Sequence, residues 1–416
     1  MINRNVKIAV IGGGAAGLAA AAAAGKKFGK GCAVIIEKQN RTGRKLLATG
    51  NGRCNISNQA VSEIHYRGDR AIIHSVISDF SFQDCKNFFE EQGIILRKEP
   101  ESWRVYPYSN QASTVLDVLR SGLKRYDIEE LCGFNITSIT RKNNQFIICS
   151  DDCMVFADYI IFATGSKASP SLGADDSGYR LLEKSGIAHS ALYPALSPIA
   201  TKEKYKILKG VRAKGKVTLL GDGRFISEEY GEIQFSDSGI SGICIFNLSG
   251  FVNEFFEYGT IGSKEYDELT ISVDLMQEYD DYFLCQYIKK CRNIFKDEKS
   301  ELLLSAVLNK KLSSALMRYA KIHADLCKDI SDKEIKRIAY AVKHFTFIPI
   351  RSDAYSSAQV CGGGIGSKEV DPDTLMSRKI KNLYICGELL DVYGECGGYN
   401  LHFTFGSALK AINAIK

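Results

Sequence analysis

Short apolar runs and glycine clusters alternate at the start of the chain. Residues 6–11 and 33–36 are continuous apolar runs of the length expected for strands buried on both faces. The alanine-rich residues 15–28 lie between them and predict a helix that follows the glycines at 12–14. A strand, a tight turn, a helix and a second strand in this order predict an α/β domain with a parallel sheet.

The spacing of apolar positions changes along the rest of the chain. Residues 60–130 show helical spacing, and we expect this region to be largely helical. Alternation and frequent glycine over residues 200–251 favour a small antiparallel sheet or barrel. Residues 279–340 have a helical pattern, with the clearest amphipathic stretch at 302–320. Short strands are predicted at residues 134–139, 146–149, 155–156 and 159–163.

Glycine-rich apolar runs return near the end of the chain, at residues 361–364 and 383–387. We therefore expect one domain built from both ends of the chain and interrupted by an insert. The predicted boundaries are 1–190 and 353–416 for this domain, 191–278 for an inserted β-barrel, 279–340 for a helical subdomain and 341–352 for a return strand of the barrel.

The composition is that of an ordinary globular protein. Hydrophobic residues make up 45% and charged residues 25% of the sequence, which excludes a disordered, collagen-like or coiled-coil chain. The net charge of +6 is mild for this length, so it neither demands nor excludes a nucleic-acid partner. Thirteen cysteines, an odd number without a CxxC pair, indicate reduced thiols and predict a cytoplasmic protein.

Residues 8–25 carry no charge and have the length of a membrane span. They consist mainly of glycine and alanine, whereas a span or a signal peptide would carry leucine and isoleucine. The three glycines at 12–14 would also interrupt an apolar helix. We therefore expect no membrane segment.

The spacing Gly12-x-Gly14-x-x-Gly17 is the most informative local motif. It follows a predicted strand, opens a predicted helix and has Glu37 twenty residues after Gly17, which is the context of a dinucleotide-binding turn. Gly12 permits the tight turn, Gly14 lets a pyrophosphate approach the backbone, and Gly17 brings the helix close to the strand. The helix N-terminus attracts the phosphates, and Glu37 is expected to accept hydrogen bonds from ribose hydroxyls. The alternative is a glycine-rich turn without a ligand.

Two motifs near the C-terminus indicate a flavin. Gly387 and Glu388 follow an apolar run, with Asp391 shortly after, where two-domain flavoproteins place a contact to the flavin side of FAD. The sequence from 397 to 401 leads into a helical run, whose N-terminal N–H groups are suited to the pyrimidine edge of reduced flavin. The alternatives are a strand-end turn and an ordinary capped terminal helix.

A third motif, residues 49–55, combines glycine and asparagine with Arg53 and lies downstream of Gly43-Arg44-Lys45. This composition predicts a loop that wraps a phosphate-bearing ligand, in which Lys45 or Arg53 could neutralise a reduced flavin. The alternative is a solvated basic loop.

Together these motifs resemble the BaiN/YhiN-like flavoproteins, which are often described as NAD(P)/FAD-dependent oxidoreductases, across nearly the whole chain. The most specific match is the run GRKLLATGNGRCN at residues 43–55. The other matches are GGGAAG at 12–17, Ala163-Thr164-Gly165, Cys386-Gly387-Glu388 and Gly397-Gly398-Tyr399-Asn400-Leu401.

The resemblance implies an α/β fold: a glutathione-reductase-like Rossmann FAD-binding domain with an inserted antiparallel β-barrel and a small helical subdomain. It also implies FAD contacts from the motif residues, with the backbone of Ile136 near the adenine. The implied cofactor-binding residues are Gly12, Gly14, Ala15, Ala16, Gly17, Glu37, Lys38, Gly43, Arg44, Lys45, Asn51, Gly52, Cys54, Ile136, Ala163, Thr164, Gly165, Gly387, Glu388, Asp391, Gly398, Tyr399, Asn400 and Leu401.

The implied activity is a flavin-mediated reduction of an electron-poor C=C, with NAD(P)H as the transient donor and a steroid-like or other hydrophobic enone as substrate. Two alternatives stay open. One is oxidation of a small amine such as aminoacetone, with peroxide as product. The other is a flavin-containing RNA-modifying or RNA-binding protein. Arg53, Tyr399 and His402 are candidate catalytic residues by position alone, and no spacing of histidines predicts a metal site.

Some features depart from the family pattern, and others have a structural interpretation. Ser166 replaces a usual glycine after Ala-Thr-Gly, and residues 402–407 differ from the family's usual segment, which leaves the identity of the substrate open.

The glycine cluster at 361–366 lacks a following helix, so a second nucleotide-binding unit is not expected. Cys54 and Cys396 could form a redox pair, but packing is the preferred interpretation. A basic run, interpreted as a solvated strand face rather than a nucleic-acid site, comprises Lys202, Lys204, Lys206, Lys209, Arg212, Lys214 and Lys216.

Overall fold

The predicted strand, turn and helix at the start of the chain are present in the computed structural model, which describes residues 2–100 and 102–416. The structure divides into two compact units. The first comprises the described chain up to Tyr193 together with Tyr355–Lys416, and the second comprises Pro194–Ala354.

The first unit is built from both ends of the chain. Its N-terminal part contains β1 (Ile2–Ile11), α1 (Ala15–Phe28), β2 (Ala33–Glu37), α2 (Arg44–Ala48), β3 (Ser57–Asn58), β4 (Tyr66–Gly68), α3 (Arg70–Asp79), α4 (Phe82–Glu91), β5 (Leu96–Lys98), β6 (Arg104–Pro107), α5 (Ala112–Arg125), β7 (Glu129–Cys132), β8 (Ser138–Lys142), β9 (Gln145–Cys149), β10 (Cys153–Phe162) and α6 (Ser177–Lys184). The short strand β11 (Tyr193–Ala195) follows at the division.

The second unit and the C-terminal part of the first complete the chain. The second unit contains β12 (Ile199–Ala200), β13 (Arg212–Gly221), β14 (Arg224–Phe235), β15 (Gly239–Ser241), α7 (Ile243–Tyr258), β16 (Thr260–Ile261), β17 (Lys264–Glu265), β18 (Leu269–Asp274), α8 (Asp281–Ile294), α9 (Lys310–Tyr319), α10 (Asp332–Lys343) and β19 (Phe345–Phe347). The first unit then resumes with β20 (Val360–Gly362), β21 (Leu383–Ile385), β22 (Val392–Gly394) and α11 (Tyr399–Ala414).

A seven-stranded sheet forms the centre of the first unit. Its parallel strands have the order β7-β2-β1-β10-β21, whereas β9 pairs antiparallel with β10 and β8 pairs antiparallel with β9. Ile8, Ala9 and Val10 of β1 are fully buried, as expected for a central strand covered on both faces. The predicted α/β fold class with a Rossmann-type sheet is confirmed.

Helix α1 is buried on nearly all sides, which explains its composition. It packs against β1, β2, α5 and α11, and its alanine side chains allow these elements to approach closely. The uncharged stretch at residues 8–25 is therefore a core strand, a turn and a core helix. Within the described residues, no helix is both long and apolar enough to cross a membrane.

An antiparallel barrel forms the centre of the second unit. Its six strands have the order β12-β15-β14-β13-β18-β19. The two outer strands meet just beyond their ends, where Thr201 pairs with Pro349 and the Lys202 N–H donates to Ile348 O at 2.8 Å. Helices α7 to α10 contribute apolar residues to the same core as the barrel strands.

Several local expectations differ from the structure. The strand predicted at 134–139 begins only at Ser138, and residues 243–251 belong to a helix rather than to the antiparallel sheet. The predicted helix at 302–320 is interrupted, since Asn309 caps α9 by accepting the Lys311 N–H at 2.9 Å. Residues 60–130 contain the short strands β4 to β6 between their helices, and strands of three or four residues are too short to show an alternating pattern.

Helix α11 buries a histidine among its core-facing side chains. His402 is fully buried, and its Nδ1 and Nε2 lie 2.8 Å from Ser57 Oγ and 2.8 Å from Phe80 O. A neutral ring satisfies both bonds, because Nε2–H donates to the carbonyl while Nδ1 accepts from the hydroxyl. Burial lowers the pKa of His402 to about 4.

This neutral histidine makes stability depend on pH. As the pH falls from about 6.5 towards 4, this histidine becomes protonated in the unfolded chain but stays neutral in the folded chain. The free energy of unfolding therefore decreases by up to about 3 kcal/mol. His402→Gln keeps a donor and an acceptor without the titration, and we expect its urea midpoint to change less between pH 7 and pH 4.5 than that of the wild type. The exposed His74→Gln is the control, and equal pH dependence in the wild type and the His402 variant would contradict the assignment.

Candidate functional site

The carboxyl ends of β1, β2, β10 and β21 lie along one edge of the sheet, and the predicted cofactor residues follow them. Gly12 follows β1, Glu37 ends β2, Ala163 follows β10 and Gly387 lies two residues beyond β21. This edge is where open α/β sheets bind their ligands. The topology therefore brings together motifs that are more than three hundred residues apart in sequence.

The glycines of the first turn are required for different structural reasons. An added Cβ at Gly12 would lie 2.6 Å from Ala163 O, and one at Gly17 would lie 1.9 Å from Gly12 O, so packing requires glycine at both. Gly14 has a φ of −77°, which other residues adopt, and a Cβ there would meet no heavy atom within 4 Å. Among the glycines of the described chain, no other combines such a φ with such open space. The structure thus leaves room for a ligand next to Gly14.

The N-terminus of α1, where Ala15 and Ala16 lie, faces this space without a capping side chain. In the described part of the chain, no side chain accepts a hydrogen bond from its first N–H groups, and its first turn contains no acidic residue. The backbone of Thr164 lies beside Gly12, whereas its buried hydroxyl lies against Gly178 of α6 and makes no hydrogen bond within the described residues. Unpaired N–H groups at a helix N-terminus are suited to an anionic ligand such as a diphosphate.

Glu37 closes the other side of the turn. Its Oε2 accepts the Gly13 N–H at 2.7 Å and its Oε1 accepts the Gln39 N–H at 2.7 Å, which fixes the carboxylate while lone pairs remain for ribose hydroxyls. The chain before Ile136 runs alongside, with the Phe134 N–H donating to Glu37 O at 3.1 Å. Lys38 forms an ion pair with Asp175.

A network of hydrogen bonds around Thr42 fixes the Gly43-Arg44-Lys45 segment, and no local sequence pattern indicates it. Thr42 is fully buried, donates its hydroxyl hydrogen to Glu130 and accepts a hydrogen bond from Arg120 Nη2 at 2.9 Å. The Gly43 N–H then donates to Gly13 O at 2.8 Å. This network joins the segment directly to the dinucleotide turn.

The loop at residues 49–55 has an unusual backbone. Gly50, Asn51, Gly52 and Cys54 all have positive φ, between 55° and 82°. Arg53 lies over the Tyr106 ring at 4.5 Å and pairs with Glu99 at 3.4 Å. A loop of this kind is shaped by its backbone, which explains why glycine and asparagine are dense in it.

The thiol of Cys54 is buried in this loop, and burial raises its pKa to about 12. A protonated, fully buried thiol is unreactive, so the structure favours the packing interpretation. Cys396 is half-buried, and none of the thirteen cysteines, all of them described, forms a disulfide.

Glu388 joins three predicted segments. Lys45 Nζ and Ser166 Oγ both donate to its Oε2, each at 2.7 Å. Arg44 is directed away from this group and donates to Gln39 Oε1 at 2.6 Å and to Ser171 O at 3.1 Å. Gly165, whose φ is 77°, precedes Ser166 and borders open space.

The N-terminus of α11 is a second uncapped helix end. Gly398 precedes it with a φ of 100°, and an added Cβ there would lie 2.2 Å from Ser57 O. Asn55 Oδ1, near the same point, is buried without a hydrogen bond in the described chain. The Asn400 side chain is tied to both the N–H and the O of Gly394 at 2.8 Å, so Asn400 and the half-buried Leu401 offer their backbone here.

Tyr399 has neighbours that sequence reasoning missed. The His65 ring is stacked on the Tyr399 ring, with centroids 4.4 Å apart and planes at 20°. His65 Nδ1 lies 2.8 Å from Glu395 Oε2. No local pattern marks His65, because it meets Tyr399 only through the pairing of β4 with β22.

Other candidates are placed away from an open site. Both ring nitrogens of His402 are occupied in the core, so it is not positioned to protonate a substrate, which corrects its assignment as a catalytic candidate. The backbone of Asp391 is bonded to Asp69 and Ile365, so it anchors the strand-end turn. No helix lies between β20 and β21, as predicted for the glycine cluster at 361–366. Within the described residues, no group of three potential metal ligands is found.

The residues present fit FAD. The open space at Gly14 and the uncapped N-terminus of α1 are suited to its diphosphate, and Glu37 is suited to its ribose. The uncapped N-terminus of α11 and the orphaned oxygen of Asn55 suit a flavin ring rich in hydrogen-bonding groups.

Comparison with known proteins agrees with this fit. The model of the family described as "HI0933-like protein Rossmann domain" matches residues 6–414. A 3-dehydro-bile acid delta(4,6)-reductase from Clostridium scindens is 33% identical over 97% of this chain and 98% of its own. A ribosomal RNA dihydrouridine synthase from Haemophilus influenzae is 26% identical over 98% of both chains.

Among solved structures, a 3-ketosteroid delta1-dehydrogenase from Sterolibacterium denitrificans is 12% identical, with a TM-score of 0.49 over 99% of both chains. The family resemblance predicted from the motifs is confirmed by the family match and by the relative from Clostridium scindens. The chain belongs to the HI0933-like family of Rossmann FAD-binding flavoproteins.

Proposed function

We propose that this flavin-dependent oxidoreductase reduces an electron-poor, enone-type C=C in a hydrophobic ring substrate, with NAD(P)H as the electron donor. The observation that carries the proposal is the full-length match, at 33% identity, to a protein named as a delta(4,6)-reductase of a 3-dehydro-bile acid. A steroid-like enone is therefore the first substrate class to test.

The names of the relatives share one reaction type. A delta(4,6)-reductase and a dihydrouridine synthase both saturate a C=C within a ring. Such a reduction adds one hydride and one proton across the double bond. When bound, FAD supplies the hydride after it has taken two electrons from NAD(P)H. The protein must hold the ring, exclude water and deliver the proton.

Tyr399 is the proposed proton donor. Burial, and secondarily the charge of Glu395, raises the pKa of Tyr399 to about 12, so the phenol keeps its proton at neutral pH. Its stacking on His65 fixes the ring at the start of α11. Arg53, always charged and fixed over Tyr106, is proposed to stabilise negative charge that develops on the substrate oxygen.

A uracil ring in RNA is the second candidate substrate, because two curated relatives, 26% and 24% identical, are ribosomal RNA dihydrouridine synthases. The basic run of the second unit gives this candidate little support. Lys209, Arg212 and Lys216 lie within 3.7 Å of the carboxylates of Asp237, Glu232 and Glu228, which offsets their charge.

Gly14→Val is expected to abolish FAD binding without unfolding the protein. The valine side chain would fill the open space in which the diphosphate is expected to bind. Valine can adopt the φ of −77° found at Gly14, so the backbone would not be strained. Titration of FAD into the apoprotein measures the effect, and the thermal midpoint of the apoprotein checks the fold. Gly17→Val should instead destabilise the apoprotein, since its Cβ would clash with backbone. FAD affinity near that of the wild type in Gly14→Val would show that the diphosphate lies elsewhere.

The proposed function predicts a specific pattern of half-reactions without oxygen. NADH or NADPH should bleach the yellow protein, and a steroid with a 4,6-dien-3-one should restore its colour and gain two hydrogens by mass spectrometry. Bleaching by aminoacetone but not by NAD(P)H, with peroxide on aeration, would favour an amine oxidase instead. Reoxidation by a uridine-containing RNA but not by the steroid would favour the second candidate.

Tyr399→Phe keeps the stacked ring and removes the proton. We expect reoxidation of the reduced protein by the enone to slow about a hundredfold, because general acids contribute at least that much. Reduction by NAD(P)H should change less than twofold, since this step requires no proton from Tyr399. Equal slowing of both half-reactions in stopped-flow measurements would argue against the role.

A further inference from the structure

The two carboxylate oxygens of Glu388 have different surroundings. Oε2 accepts hydrogen bonds from Lys45 and from Ser166, both at 2.7 Å. Oε1 has no hydrogen-bond partner within the described residues, and 23% of the Glu388 side chain is exposed at the sheet edge. A carboxylate fixed through one oxygen presents the other to a ligand in a defined direction.

The hydroxyl of Ser166 is directed towards Glu388 by its own surroundings. Ser166 is almost fully buried, and its Oγ accepts the Ala168 N–H at 3.5 Å. The Ala168 N–H uses a lone pair of Oγ and leaves its single proton for the carboxylate. The backbone of Glu388 is fixed independently, since its O accepts the Tyr179 hydroxyl at 3.0 Å.

We propose that Ser166 is a positioning residue for the cofactor: it fixes Glu388 so that Oε1 faces the hydroxyl-bearing part of FAD, a class of donor that complements a free carboxylate oxygen. The inference rests on FAD binding at this edge but not on the identity of the substrate. Lys45 alone would pair with Glu388 as a flexible cation, and the short serine side chain adds a second, rigid contact. Both bonds are charge-assisted, which makes them stronger than neutral ones.

A double-mutant cycle with Ser166→Ala and Glu388→Ala tests the coupling. The dissociation constant of FAD is measured by titrating the apoprotein and following the quenching of flavin fluorescence. In the wild-type background, Ser166→Ala should weaken FAD binding about tenfold, the effect of one hydrogen bond to a charged group. In the Glu388→Ala background, the same change should alter affinity less than twofold, because its partner is absent.

The controls separate positioning from packing. Ser166→Thr keeps the hydroxyl and should bind FAD within about twofold of the wild type. Ser169→Ala removes a hydroxyl in the same loop that bonds Ala358 O at 2.8 Å and not Glu388, and it should leave the affinity unchanged. If Ser166→Ala lowers the thermal midpoint of the apoprotein, Ser166→Gly takes its place in the cycle.

Two results would overturn the proposal: an equal loss of affinity in both backgrounds, or no loss in the wild-type background. Neither depends on turnover. If the steroid enone is not reduced while the cycle shows coupling, the substrate assignment fails and the positioning role stands. If the steroid enone is reduced but the cycle shows no coupling, the positioning role fails and the substrate assignment stands.

Discussion

The close approach of α1 to β1 is the constraint on which the site depends. Gly12 and Gly17 meet backbone atoms where any side chain would collide, so the helix begins directly at the end of the central strand. This packing places the N-terminus of α1 beside the ends of β2 and β10, where Glu37 and Thr164 lie. The packing that buries the helix therefore also forms the anion-binding turn, and neither requires a charged side chain at the turn.

Features encoded in the local backbone could be predicted from the sequence. The glycine spacing at 12–17 specifies a strand, a turn and a helix within a dozen residues, and the structure contains all three. The glycines and asparagines at 49–55 similarly indicate a loop with left-handed residues, although not its shape. In each case the residue type restricts φ directly, so the information is carried by a few neighbouring positions.

Contacts between distant segments could not be predicted in this way. Lys45 and Glu388 are separated by 343 residues, and their contact depends on the pairing of β10 with β21. Closure of the barrel depends on a single bridge between Thr201 and Pro349, which leaves no periodic signal in either segment. For His402, sequence position was misleading in another way. Its place next to a cofactor motif predicted a catalytic role, whereas its two buried hydrogen bonds show that it is a core residue.

Three of the cations around the site are paired with carboxylates of the protein itself. Lys45 is bonded to Glu388, Arg53 to Glu99 and Lys38 to Asp175. A cation that already has a carboxylate partner adds little to the attraction of a diphosphate, because the two charges largely cancel at a distance. The groups that remain unpaired at the dinucleotide turn are instead neutral: they are the first N–H groups of α1, which no side chain in the described residues caps. We therefore expect the diphosphate to bind to oriented backbone dipoles, while the ion pairs fix the loops around it.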